Sequence, residues 1–114
     1  MNRTIRIAKF TPPRGELSRG ATATTAVGVE NAGDADATVR VACSIVPSST
    51  KLPFDLPPQE VTVRQAQTYM VTFRWPVTIA TPDGSYDVLV TVADRQHPDV
   101  LDRARAIRSF SIRA

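Results

Sequence analysis

Apolar residues recur at every second position along most of this chain. "RTIRIAKF" (3–10) sets Ile5 and Ile7 on one side, and "ATATTAVGVEN" (21–31) aligns Ala23, Thr25, Val27 and Val29. "ATVRVACSIV" (37–46) does the same with Val39, Val41, Cys43 and Ile45, and a short piece follows around "EVTV" (60–63). "AQTYMVTFRW" (66–75) opposes Tyr69, Val71, Phe73 and Trp75 to Thr68, Met70, Thr72 and Arg74. "SYDVLVTVAD" (85–94) aligns Tyr86, Val88, Val90 and Val92, and "RAIRSFSIRA" (105–114) closes the chain with Phe110 and Ile112 on its buried side. A period of two is the mark of strands, because successive side chains leave a strand on opposite faces; a helix would bring apolar residues back every third or fourth position.

The pattern predicts seven short strands separated by "TPPRGE", "NAGDAD", "PSSTKLPFDLPP", "PDG" and "RQHPD". Short strands at regular spacing with polar turns predict two packed antiparallel sheets. The one helical alternative is "HPDVLDRARAIR" (97–108), where Pro98 suits a first turn and Val100, Leu101 and Ala104 share a face. It runs into an alternating segment, so at most one turn of helix is expected there. All nine prolines fall between the predicted strands or at their ends, where no ladder N–H is needed.

At 114 residues the chain is read as a single domain, 1–114, long enough to bury a core without disulfides or a structural metal. Cys43 is the sole cysteine, which excludes an internal disulfide and any thiolate metal cluster; its parity makes it a buried thiol, suited to a reducing compartment. No stretch approaches the length of a membrane span. The opening "MNRTIRIAKFTPP" lacks the apolar segment of a secretory signal, which leaves two settings: cytoplasmic if the chain stands alone, cell-surface or secreted if it is a domain of a longer protein. The net charge is +3, and twelve of the fourteen basic residues are arginines scattered along the chain. A nucleic-acid reading would need Arg103, Arg105, Arg108 and Arg113 to form one face, and the segment offers only Phe110 for stacking.

The stretch "VGVENAGDADATVRV" (27–41) gathers Asn31, Asp34 and Asp36, three oxygen-bearing side chains that suggest calcium. A calcium loop supplies six to eight oxygens, including a bidentate carboxylate, and none follows here. Asn and Gly tolerate positive φ and Asp caps nearby backbone, so the stretch is expected to be a hairpin turn.

A strand of the form apolar–x–apolar–x–Asn–x–Gly followed by alternating valines resembles the bacterial cell-adhesion-related domains known as CARDB. "VTFRW" (71–75) and "GSYDVLVTVAD" (84–94) match further strands of that kind, and the resemblance runs over about residues 3–112. It departs before the last strand, where those domains often carry an acidic, asparagine-rich stretch and this chain reads "RQHPDVLDRARAIR". The resemblance implies a seven-stranded antiparallel β-sandwich, immunoglobulin-like or fibronectin III-like. It also implies use as a spacer, adhesion or accessory module in larger bacterial proteins, and it supplies no catalytic residues.

Chemistry is thin. His97 is the only histidine and lacks the partners of a triad or a zinc site. Asp83, Asp87, Asp94, Asp99 and Asp102 fall in turns or on polar parity, and "RGELSRG" lacks the Lys-Ser or Lys-Thr of a phosphate loop. No enzymatic activity and no cofactor are expected. Tyr69, Phe73 and Trp75 share one parity; exposed, they would suit a carbohydrate, but the valines beside them make this the core side. The connection 47–60 places Leu52, Phe54 and Leu56 between prolines, either as a lid over the sandwich or as a stiffened contact for another protein. An edge strand, first or last, is the second candidate, open to a partner or to a second copy. The expected function is therefore a non-catalytic protein–protein interaction or structural module. A carbohydrate-binding module is the alternative, and arginine-mediated nucleic-acid binding a second one.

Overall fold

The alternating segments pair into two sheets. The computed structural model describes residues 5–95 and 99–113. Among these, nine strands follow in chain order: β1 (Ile5–Thr11), β2 (Gly15–Leu17), β3 (Thr22–Asn31), β4 (Ala37–Pro47), β5 (Phe54–Asp55), β6 (Gln59–Val63), β7 (Gln67–Pro76), β8 (Gly84–Asp94) and β9 (Val100–Ile112). One sheet has the order β1-β3-β7; the other runs β2-β9-β8-β4-β5, with β6 also on β4. The side chains between them form a sandwich core. Val27, Val29, Val71 and Phe73 face Val39, Val41, Cys43, Ile45, Val88, Val90, Val92, Phe110 and Ile112. Each large apolar side chain removed from water here contributes about 1.5–3 kcal/mol.

Three expectations need correction. The seven predicted segments all carry strands, but β2 and β5 are additional, and β2 pairs with β9 in parallel, so the pairing is not purely antiparallel. Strands of three and two residues are too short for alternation to register. The last strand begins at Val100, not at residue 105, which removes the helical turn considered for 97–108 as far as the described residues reach. Pairing decides this: the β8 valines Val92, Val90 and Val88 stand opposite Asp102, Ala104 and Ala106, and cross-strand contact outweighs local helix propensity.

The third correction concerns 31–36. β3 and β4 lie in different sheets, so the connection between them is an arch and not a hairpin. Positive φ is not used at Asn31 or Gly33. Asn31 is instead buried, and its side-chain amide donates to Ala35 O (2.8 Å) and to Val63 O on β6 (2.9 Å). Its Oδ1 accepts the Gly33 N–H at 2.9 Å. One side chain thus shapes the arch and ties the end of one sheet to the other. Asp34 and Asp36 are exposed, and Asp36 accepts the Gln65 N–H.

Candidate functional site

The 47–60 connection is held on the sheet edge. Lys51 takes φ 62 and its N–H closes a turn onto Pro47 O at 2.9 Å. Phe54 and Asp55 then pair with Ile45 and Ser44 of β4, Ser44 Oγ donates to Asp55 at 2.6 Å, and the Leu56 N–H reaches Cys43 O at 3.0 Å. Within this fixed backbone the three candidate residues part company. Leu56 is half-buried against the core, as a lid residue would be. Leu52 and Phe54 are 70% and 43% exposed.

Phe54 caps a line of aromatic rings that runs into the core. Its ring centroid lies 5.5 Å from Trp75, which lies 5.4 Å from Tyr86, which stacks on Phe110 at 5.3 Å. The Tyr86 hydroxyl donates to Pro82 O, fixing the turn before β8. Burial raises the Tyr86 phenol above its ordinary range, Asp83 adds to this, and Arg19 partly opposes it. Between Phe54, Trp75, Pro76, Ala80 and Pro82 lies a shallow groove of about 250 Å³. Ile79, on the same turn, is 90% exposed. An apolar surface therefore gathers at this end, and Ile79 was not singled out in the sequence because a turn residue carries no periodicity.

The predicted core side of β7 holds only in part. Val71 and Phe73 are buried and Trp75 is half-buried, but Tyr69 is 49% exposed. Tyr69 stands opposite the buried Val29 near the start of β7, the edge strand of its sheet. Parity assigns a side and does not say which strand will lie at a sheet edge.

The sheet edges are partly closed by side chains. Asp102 Oδ2 on β9 accepts the Ile7 N–H of β1 at 2.8 Å, and Gln59 Nε2 on β6 donates to Thr72 O on the free edge of β7 at 2.7 Å. Such caps blunt edge-to-edge pairing.

The four arginines of the last strand do not form one free face. Arg103 and Arg105 alternate with inward Ala104, but Arg113 pairs with Glu16 at 3.1 Å, and Arg108 sits in a bulge at φ 50. Around that bulge β9 carries two more residues than β8. The buried Asp87 fills the gap by accepting the Arg108 N–H and the Ser48 hydroxyl, each at 2.8 Å. Burial alone would raise its carboxyl; these hydrogen bonds, with Lys51 and Arg105 nearby, hold it below the usual range. Burial pushes the Cys43 thiol up to about 11, against a hydrogen bond with Thr25. His97 lies outside the described residues. Among the described residues, no three His, Cys, Asp or Glu side chains gather in a metal-holding group.

No protein-family profile matches the sequence, nor does any curated protein. Solved structures do match in fold. The alkylpurine DNA glycosylase AlkC of Pseudomonas fluorescens, bound to DNA containing an abasic site analog, aligns with a TM-score of 0.74 at 13% identity over 97% of this chain. A Bacteroides uniformis β-glucuronidase aligns at 0.70, with 13% identity over 90% of the chain. The chain spans 31% of the glycosylase and 14% of the glucuronidase. The CARDB domain of a Pyrococcus furiosus protein, in complex with di-metal ions, aligns at 0.61 with 18% identity, over 96% of this chain and 86% of that one. The resemblance to CARDB domains holds at the level of the fold.

Proposed function

We propose that this chain is a non-catalytic, immunoglobulin-like or fibronectin III-like β-sandwich that serves as a protein–protein interaction or structural module of bacterial origin. In a larger assembly it acts as a spacer, an adhesion unit or a decorating subunit. The carrying observation is the apolar end around Phe54. Phe54 presents its ring on a backbone pinned by the β4 edge with Trp75 directly beneath, Leu52 is exposed two residues before it, and Ile79 is exposed on the turn that lines the same groove. Exposed apolar residues collected at one place mark contact surfaces more often than residues scattered singly. A stiff backbone also loses little freedom when a partner docks. The CARDB resemblance supports the spacer and adhesion reading, and the Tyr86–Pro82 hydrogen bond supports the immunoglobulin-like one.

The test is a pull-down with the immobilised chain and cytosolic and envelope extracts of the cells that make it. Wild type is expected to retain one dominant protein that Phe54→Ser/Ile79→Ser, folded by circular dichroism, fails to retain. Recovery of nothing, or of the same protein by both forms, would overturn this docking surface.

A further inference from the structure

At the other end of β7 the chain forms a second surface of different chemistry. β6 and β7 belong to different sheets, yet only three residues join them, with Ala66 at φ 59 and the Gln67 N–H closing onto Arg64 O at 3.1 Å. The notch beside this turn is a groove of about 520 Å³ lined by Thr62, Val63, Arg64, Gln67, Thr68 and Tyr69. Its volume falls within the range of small-ligand sites, about 300–1,000 Å³. Tyr69 contributes a half-exposed ring. The side chains of Arg64 and Gln67 make no hydrogen bond or ion pair among the described residues, whereas Arg6, Arg19, Arg95 and Arg113 each hold a carboxylate. The groove thus combines a flat aromatic surface, a free guanidinium and a free amide.

We propose that this groove binds an acidic oligosaccharide, a chain containing uronic acid. The apolar face of a pyranose ring stacks on Tyr69, as an aromatic with a polar tip permits. The Arg64 guanidinium takes the sugar carboxylate through paired N–H bonds, the geometry that distinguishes arginine from lysine. Gln67, on the same parity as Tyr69, meets the ring hydroxyls as both donor and acceptor. Neutral sugars would leave the guanidinium without a counter-charge, and an acidic peptide would leave the tyrosine face without a flat partner. The inference uses none of the residues of the apolar end, so either can fail alone.

Isothermal titration calorimetry of the full chain with tetragalacturonate, cellotetraose and a tetra-aspartate peptide tests it. Tetragalacturonate is expected to bind, with affinity reduced at least about tenfold in Arg64→Gln and in Tyr69→Ala and retained in Tyr69→Phe. Arg64 is exposed on a turn, so its variant reports even if the Tyr69→Ala protein folds poorly. No binding of tetragalacturonate would overturn the proposal. So would equal binding of cellotetraose or tetra-aspartate, or unchanged affinity in Arg64→Gln.

Discussion

The Asp87 carboxylate on β8 accepts the Arg108 backbone N–H on β9 at 2.8 Å, across the bulge where β9 departs from regular pairing. A side chain here substitutes for the ladder bond that the neighbouring strand cannot make. The same oxygen takes the Ser48 hydroxyl, so one buried acid serves the bulge and the start of the 48–51 turn together.

The first expectation concerns acid. The folded Asp87 carboxyl sits below its ordinary value, so its contribution is complete above the unfolded pKa, about 3.9, and is lost as pH falls through the folded one. Asp87→Asn removes an acceptor oxygen and the charge, and is expected to cost about 1–3 kcal/mol at neutral pH. Urea melts across the acidic range should show a stability decline that is shallower in the variant; parallel curves would refute the assignment.

Asn31 provides a second test. Asn31→Ala leaves two carbonyls and one N–H of the arch without this partner, at a cost of about 2–3 kcal/mol. Asn31→Asp should be worse, because a carboxylate cannot donate and would face the Ala35 and Val63 oxygens. Denaturant midpoints of the two variants give the order directly.

Cys43 should be silent. With the thiol at about 11 and the side chain in the core, the native protein should not react with a disulfide reagent at pH 8, and should react fully once unfolded. The raised value also has a stability sign. The contribution is complete below the free-thiol range and declines as pH rises from about 9 towards 11. Rapid native labelling would show that the core opens near β4.

Phe54 reports on its own position. Phe54→Ala should uncover Trp75, shifting indole emission to the red and increasing iodide quenching. The cost should be only about 0.5–1.5 kcal/mol, since the ring already stands partly in water. An unchanged spectrum would mean that the indole is shielded by other groups.

Much of the fold is legible in valines. Val39, Val41 and Val88, Val90, Val92 alternate cleanly, and each lies in the core because a two-residue period leaves no other face for them. What escaped is what alternation does not encode. β2 and β5 are too short to show it, and the destination of a connection is invisible in it, so the arch after Asn31 reads like a hairpin. The candidate surfaces were half legible. Leu52 and Phe54 stand out as large apolar residues among prolines, while Ile79 lies in a turn with no pattern. Tyr69 has core parity but stands near the start of β7, at the edge of its sheet. The β9 bulge separates Arg108 from Arg103 and Arg105 for a similar reason, since two extra residues interrupt the strand without changing the parity of Phe110.

The short parallel pairing of β2 with β9 has a mechanical consequence. Gly15, Glu16 and Leu17 run alongside Phe110, Ser111 and Ile112 in the same direction, and the Glu16–Arg113 ion pair spans the same two strands. Tension that draws the chain before β2 one way and the chain after β9 the other way slides these strands past each other. Their bonds are then strained together, whereas the bonds of a hairpin pulled at its open end break one after another. Β2, the shortest strand but one, is therefore the latch that tension must shear before β9 can peel from β8, and a linker that bears load would gain its resistance there.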